Sequence, residues 1–180
     1  MSQAKVLNEK ELRKVLLYVA NHKHASRNKA MLLMTHLSGM RVGEVAAITI
    51  DDVLNTDGSI KDEIYLAAEQ TKGSKGRTVL LPKRLKSNPQ HFLCIRFRLK
   101  DLAVVSFTDT SRALFNTQME PIRGFSANTL SQYFHYLYKA AGIEGVSSHS
   151  GRRGFITSLA TQGISVRVLM ALAGHSNIST

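Results

Sequence analysis

The sequence predicts a mainly α-helical fold with one small antiparallel β-sheet. Apolar residues recur at helical spacing behind recognisable capping residues over most of the chain. Two short strand-like runs, 64–67 and 78–81, flank a turn that is rich in glycine and lysine. A length of 180 residues is enough for a substantial core. We therefore expect residues 1–180 to form a single α+β domain.

The first three helices follow from caps and spacing. Asn8 and Glu11 have the spacing of a capping box, and a helix is expected from there to about residue 20. A second helix is expected over about 26–37. Gly39 then marks a turn, after which the apolar pattern resumes over 42–47.

The helices after the sheet are marked by proline, serine and glycine. Pro82 ends the second strand, and a helix is expected from about Pro89, where apolar residues follow a helical period within a basic stretch. Another helix is expected over about 126–141, one from near residue 149, and one over 166–173 with Gly174 as its C-cap.

The charge distribution points to a polyanionic partner. The net charge is +11, and residues 71–100 contain nine Lys or Arg and no Asp or Glu. Double-stranded DNA is the expected partner, the alternative being a basic surface that serves solubility. The chain contains no signal sequence and no apolar run near the roughly 20 residues that span a bilayer, so we expect a cytoplasmic protein without membrane contact. Cys94 is the single cysteine, and we expect no metal and no cofactor.

His149 and Arg152 suggest chemistry on a phosphodiester. In a helix, a spacing of three residues places both side chains on one face. The planar guanidinium matches phosphate oxygens, and histidine exchanges a proton near neutral pH. By itself this spacing is common and is compatible with an exposed helix face.

Three further residues are candidates for the same site. Arg41 lies at a loop-to-helix junction, Lys72 at a basic hairpin tip, and His175 directly after the Gly174 cap. Taken singly, each has an ordinary explanation as a salt-bridge partner, a turn lysine or a helix cap.

Taken in this order, the five residues resemble the catalytic domain of the tyrosine recombinase (phage integrase) family. The resemblance implies site-specific DNA recombination by strand cleavage and rejoining through a 3′-phosphotyrosine intermediate. Two positions depart from the family pattern, because Gly151 stands where a leucine is usual and Gly154 where a threonine or serine is common. We expect looser packing behind the His149 helix as a result.

The resemblance also implies the role of each site residue. Arg41 and Arg152 would hold the two non-bridging phosphate oxygens, and Lys72 would protonate the 5′-oxygen leaving group. His149 would manage the proton of the tyrosine, and His175 would hydrogen-bond the phosphate.

Four neighbouring residues are expected to assist. Glu44, one helical turn from Arg41, would support the cations. Lys75 and Arg77 share the hairpin of Lys72, so they compete for its role and are otherwise expected to contact DNA. Arg153 is expected to contact the backbone or DNA.

The family's nucleophile is a tyrosine shortly after the second histidine, and residues 176–180 contain none. The tyrosines of this chain all lie upstream, at Tyr18, Tyr65, Tyr133, Tyr136 and Tyr138. We assign no nucleophile. The expectation is a catalytic domain that lacks its tyrosine segment and the family's separate N-terminal DNA-binding domain, and that is inactive for cleavage by itself.

The resemblance implies a homotetramer on paired DNA sites for an intact enzyme of prokaryotic, phage or mobile-element origin. The chain by itself is expected to be monomeric. Two alternatives stay open: a DNA-binding or regulatory protein that keeps the phosphate clamp without catalysis, and a topoisomerase-like nicking enzyme.

Overall fold

The computed structural model describes residues 5–98, 102, 110–118 and 123–174. The helices are α1 Glu9–Ala20, α2 Ala25–Leu37, α3 Val42–Ala47, α4 Ile50–Val53, α5 Lys83–Phe97, α6 Ala127–Ala140, α7 Ser150–Thr161 and α8 Val166–Ala173. The strands are β1 Glu63–Leu66 and β2 Arg77–Leu80, and a short 3-10 helix, Ala68–Gln70, follows β1. The predicted fold class, mainly helical with a small antiparallel sheet, is confirmed.

Helix α2 lies at the centre of the domain. It packs against α1, α5 and α7, and its residues 30–35 are all buried. Because neighbours cover it on several sides, it lacks the exposed polar face of an ordinary surface helix. Helix α1 shows the predicted capping box: the Glu11 backbone N–H donates to Asn8 Oδ1 at 2.9 Å, and the Asn8 N–H donates to Glu11 Oε2 at 3.1 Å.

The predicted hairpin is present. β1 and β2 pair antiparallel, and Ile64, Leu66 and Val79 are buried while the residues between them face outward. Each strand begins one residue earlier than predicted. The loop at the far end of the pair carries residues 71–76, so the basic turn projects from the sheet.

Helix α5 begins six residues before the predicted start. Pro82 is its N-cap residue and Pro89 lies inside it. Proline has no N–H to donate to the carbonyl four residues earlier, which normally interrupts a helix. Here the Asn88 side chain donates to that carbonyl, Leu85 O, at 3.2 Å. The neighbouring side chain thus satisfies the acceptor that the proline leaves, and the helix continues to Phe97.

Helix α7 approaches α2 closely at Gly151. A Cβ atom at Gly151 would lie 2.8 Å from His36 Nδ1 and closer still to Thr35 Oγ1. The expectation of looser packing is therefore wrong at this position, since glycine permits a contact that a leucine would prevent. At Gly154 an added Cβ would make only an ordinary contact, 3.5 Å from Val6 Cγ1.

The remaining elements surround these. Helix α6 packs against α3 and α1, and α8 contacts α7 and β2. This brings the start of α3, the hairpin, the start of α7 and the end of α8 to one side of the domain. None of the helices in the described ranges is long and apolar enough to cross a bilayer.

Candidate active site

Arg41, Lys72 and His149 line a single cavity of about 480 Å³. Arg41 is the N-cap residue of α3, Lys72 follows the 3-10 helix, and His149 is the N-cap residue of α7. The remaining lining residues come from α3, the 3-10 helix and its C-cap, the segment before α6 and the first residue of α6: Val42, Gly43, Glu44, Ala46, Ala47, Glu69, Gln70, Thr71, Phe125 and Ala127. The fold thus brings together three predicted site residues that are far apart in sequence.

Arg41 is held by its own helix. Its backbone N–H donates to Glu44 Oε2 at 2.7 Å, and its Nη1 donates to Glu44 Oε1 at 2.9 Å. Nη2 donates to the Gly174 carbonyl at 3.3 Å, and 22% of the side chain is exposed. Glu44 and the Gly174 carbonyl therefore orient the Arg41 side chain, and part of that side chain is accessible from the cavity.

Glu44 is buried between two arginines. Arg77 donates from Nε to Glu44 Oε1 at 3.0 Å and from Nη2 to Glu44 Oε2 at 2.7 Å. Burial by itself raises the pKa of Glu44, but the hydrogen bonds and charges of Arg77 and Arg41 outweigh it, so the pKa lies below its usual value. The carboxylate is ionised at neutral pH.

Arg152, in the first turn of α7, lies beside this group and is 7% exposed. Its Nη1 donates to the Gly39 carbonyl at 2.6 Å, and its Nη2 donates to the Ala173 carbonyl. Gly39 has a φ of +66°, and a Cβ there would lie 2.6 Å from Phe155 Cε1. Only glycine fits the turn that presents this carbonyl to the arginine.

The site carries excess positive charge. Burial, followed by the charges of Arg41 and Arg77, lowers the pKa of Arg152 to about 10, so it stays protonated at neutral pH. Three guanidinium groups and the single Glu44 carboxylate sum formally to +2. Such a group stabilises an added anion, and phosphate matches the guanidinium geometry.

The sequence matches the family model described as Phage integrase family over residues 5–180. The chain belongs to the phage integrase family. The resemblance drawn from the five residues is thereby confirmed.

Similar curated proteins in this family are named tyrosine recombinases. XerA of Pyrococcus furiosus is 27% identical over 177 residues, which cover 98% of this chain and 55% of that protein. XerC of Thermodesulfovibrio yellowstonii is 26% identical over 154 residues, covering 86% of this chain and 48% of that protein. The chain spans about half the length of these relatives.

Solved structures share the fold. The crystal structure of XerA recombinase superimposes with a TM-score of 0.75 at 22% identity, covering 98% of this chain and 58% of that one. The Tn1549 transposon integrase in complex with transposon right end DNA gives a TM-score of 0.70 at 18% identity, covering 98% and 60%. At these identities the likeness establishes the tyrosine recombinase catalytic-domain fold.

In this phage integrase family member the basic residues of the hairpin differ in their placement: Lys72 lines the cavity, whereas the side chain of Arg77 is buried. Lys72 and Lys75 are exposed, and Lys72 lines the cavity. The turn is braced by Thr71, whose Oγ1 donates to Lys75 O at 2.7 Å, and by Gln70, whose Nε2 donates to Asp52 Oδ2 at 2.7 Å. The spacing along the hairpin could not separate the two lysines, and their placement favours Lys72 for the cavity.

Arg77 does not extend into solvent. Its side chain is 8% exposed, and its Nη1 donates to the Leu172 carbonyl at 2.9 Å in addition to the contacts with Glu44. Its donors point inward, to Glu44 and Leu172 O, and the predictions that Arg77 contacts DNA or replaces Lys72 stay predictions. Arg153 is half-buried on α7, and its DNA contact stays a prediction. His175 lies outside the described residues.

The sequence analysis missed Phe125, which forms part of the cavity wall. The Arg27 guanidinium, 4% exposed, lies over its ring at 5.2 Å from the centroid. Arg27 also donates to Tyr133 Oη at 3.1 Å and to the Asn116 carbonyl at 2.9 Å. These bonds hold the guanidinium over the Phe125 ring, and the guanidinium in turn stabilises the position of that ring. A single Phe and a single Arg almost 100 residues apart carry no pattern that could have identified them.

Proposed function

We propose that this chain is the catalytic domain of a tyrosine-type site-specific recombinase, which cleaves and rejoins double-stranded DNA through a 3′-phosphotyrosine intermediate. The observation that carries the proposal is the cavity in which Arg41, Lys72 and His149 meet beside the buried Arg152. Transfer of a phosphoryl group requires cations that bind the phosphate and groups that transfer protons, and this site contains two of each.

Arg41 and Arg152 bind the phosphate in this proposal. Each takes one non-bridging oxygen, whose negative charge grows as the attacking oxygen approaches phosphorus. Both guanidinium groups are already oriented, Arg41 by Glu44 and Arg152 by the Gly39 carbonyl. Little reorganisation is then needed in the transition state, which is where preorganised donors accelerate a reaction.

Lys72 and His149 transfer protons. Lys72, on the exposed turn, protonates the 5′-oxygen as its bond to phosphorus breaks. His149 is exposed at the start of α7 and accepts the proton of the attacking hydroxyl. Both side chains border the same cavity, so both can reach one phosphodiester.

The attacking hydroxyl belongs, by the family pattern, to a tyrosine after His175. Residues 176–180 contain no tyrosine, and we assign the nucleophile to no residue of this sequence. His175 would add a hydrogen bond to the phosphate. We therefore propose that residues 1–180 supply the part of the site that binds the phosphate and transfers protons.

Double-stranded DNA is the proposed partner, and the cytoplasm the proposed location. The net charge of +11 and the nine basic residues over 71–100 support it. Two solved proteins with this fold, the Tn1549 integrase and XerH bound to difH substrate, are DNA complexes. We propose a homotetramer on paired sites for the intact enzyme and a monomer for this chain without DNA.

DNA binding by this chain tests the phosphate site. Fluorescence anisotropy with a labelled duplex should show an affinity that falls steeply between low and moderate salt, because phosphate contacts release counterions. Arg41→Ala should weaken binding and reduce the salt slope by about one. Arg13→Ala, which removes an exposed arginine of α1 outside the cavity, is the control. An affinity that does not depend on salt would exclude the proposed DNA role.

Covalent trapping tests catalysis and separates the alternatives. The complete product of the source gene is incubated with a nicked duplex and analysed on a denaturing gel. A protein–DNA adduct that disappears in Arg41→Ala supports the recombinase. Salt-dependent binding without an adduct would favour the regulatory protein, and relaxation of supercoiled DNA without a target site would favour the nicking enzyme.

A further inference from the structure

Three arginines converge on the last carbonyl groups of α8. Each donates to a different one of three consecutive carbonyls: Arg77 to Leu172 O at 2.9 Å, Arg152 to Ala173 O, and Arg41 to Gly174 O at 3.3 Å. The carbonyl end of a helix carries partial negative charge, which guanidinium groups stabilise. The end of α8 is thus attached to the same three side chains that create the positive charge of the site.

Arg77 is the most constrained of the three. Its Nε and Nη2 contact both oxygens of Glu44, and its Nη1 contacts Leu172 O, so the three nitrogens of its guanidinium are all used. Gly174 has a φ of +60°, and a Cβ there would lie 2.5 Å from Arg77 Cδ. The end of α8 therefore packs directly on the Arg77 side chain, without room for a larger residue.

The placement of Arg77 determines how much of the charge of Arg41 remains for a ligand. Glu44 is 1% exposed and contacts both arginines. With Arg77 present, one carboxylate is shared between two cations, and positive charge is left over. Without Arg77, the buried Glu44 would be paired with Arg41 alone, and that pair would be formally neutral.

We propose that Arg77 is a positioning residue for phosphate binding, which acts through Glu44 on Arg41, while its bond to Leu172 O holds its own guanidinium in place. It balances the charge of Glu44 so that the guanidinium of Arg41 stays available to a DNA phosphate, and it does not contact the DNA. This inference rests on the proposed function, since it names the residue that prepares the phosphate site for its ligand.

A double-mutant cycle tests the inference. The affinity of this chain for a labelled duplex is measured for Arg77→Met in the wild-type background and in the Arg41→Ala background. We expect the affinity to fall about tenfold in the first and less than twofold in the second, because Arg77 acts only through Arg41. The salt slope should fall by about one in the first background only.

Lys75→Met is the matched control. Lys75 is exposed on the same hairpin, so a direct phosphate contact should lower the affinity equally in both backgrounds. If Arg77→Met also lowers it equally in both, Arg77 contacts DNA directly and the inference is overturned. If Arg77→Met does not fold, Arg77→Lys takes its place. It keeps a positive charge beside Glu44, but one ammonium group cannot hold both carboxylate oxygens and the carbonyl, so about a threefold loss is expected in the wild-type background alone.

A second measurement does not depend on DNA. The guanidinium NMR signals of Arg41, identified by their loss in Arg41→Lys, are compared between wild type and Arg77→Lys. We expect shifted signals with slower solvent exchange, because Glu44 then pairs more fully with Arg41. Unchanged signals would overturn the inference. If wild-type binding depends neither on salt nor on Arg41, the proposed function fails, and the NMR comparison still decides whether Arg77 positions Arg41.

Discussion

Replacing Gly151 by alanine should destabilise the protein, whereas the same change at Gly154 should not. Both glycines lie in α7, three residues apart, and both depart from the family's usual residues. At Gly151 the added Cβ would lie 2.8 Å from His36 Nδ1 and closer still to Thr35 Oγ1. Thr35 is fully buried and its hydroxyl donates to the Leu32 carbonyl at 2.8 Å, so it cannot turn away without losing that bond.

The magnitude follows from two opposing effects. Overpacking a core contact costs about 1–3 kcal/mol. Alanine in place of glycine within a helix contributes about 0.5–1 kcal/mol of stability. Gly151→Ala should therefore lower the free energy of unfolding by up to roughly 2.5 kcal/mol, and the short contact with Thr35 places the value in the upper part of that range. Gly154→Ala, whose Cβ would lie 3.5 Å from Val6 Cγ1, should raise it by roughly 0.5–1 kcal/mol.

Urea unfolding followed by far-UV circular dichroism measures both variants under identical conditions. In thermal unfolding, each 1 kcal/mol should correspond to about 2–4 °C for a domain of this size. Because α7 carries His149 and Arg152, Gly151→Ala should also weaken DNA binding, while Gly154→Ala should leave it unchanged. If Gly151→Ala is as stable as Gly154→Ala, the close contact between α7 and α2 does not exist as described.

Two further predictions concern the acid response and the Gly39 turn. The pKa of Glu44 in the folded protein lies below the usual 4.5, so its stabilising effect is complete above about pH 4.5 and is lost as the pH falls through the lower value. The difference in unfolding free energy between wild type and Glu44→Gln should therefore shrink from pH 7 towards pH 3; a constant difference would contradict the ionised pair. Gly39→Ala should cost about 2–3 kcal/mol, because it strains a residue at φ +66° and overlaps Phe155, and it should weaken DNA binding through Arg152. Gly163→Ala, at φ +78° in open space and outside the cavity lining, is the matched control in the same unfolding and binding assays. It carries the backbone strain without the overlap with Phe155, so it should cost less stability and leave DNA binding unchanged.

Local signals in the sequence predicted most of the fold correctly. The cap at Asn8, the turn between the strands and the cap at Gly174 all lie where they were expected. Each depends on residues within a few positions of one another, and backbone hydrogen bonding restricts which residues are favourable there. The start of α5 was predicted wrongly because Pro89 is normally a helix breaker, and the compensating bond from Asn88 cannot be read from spacing.

The candidate site was predictable to the extent that its residues stand in motifs. Arg41, Lys72 and His149 were selected from their order along the chain, and the fold places them on one cavity. Phe125 and Arg27 were missed because their contacts with each other involve segments almost 100 residues apart. Arg77 was assigned to DNA because an arginine on a basic hairpin is usually exposed.

Residue types and their order along the chain are sufficient for the fold class, most helix ends and the family, since these follow from short-range periodicity and from motifs. Packing determined which way the side chains point and how closely the helices approach one another. Arg77 turns inward because the buried Glu44 and the end of α8 supply three acceptors that solvent would otherwise provide. Gly151 allows close helix packing because α2 lies against it. Such contacts join residues that are distant in sequence, and only the folded chain brings their donors, acceptors and volumes together.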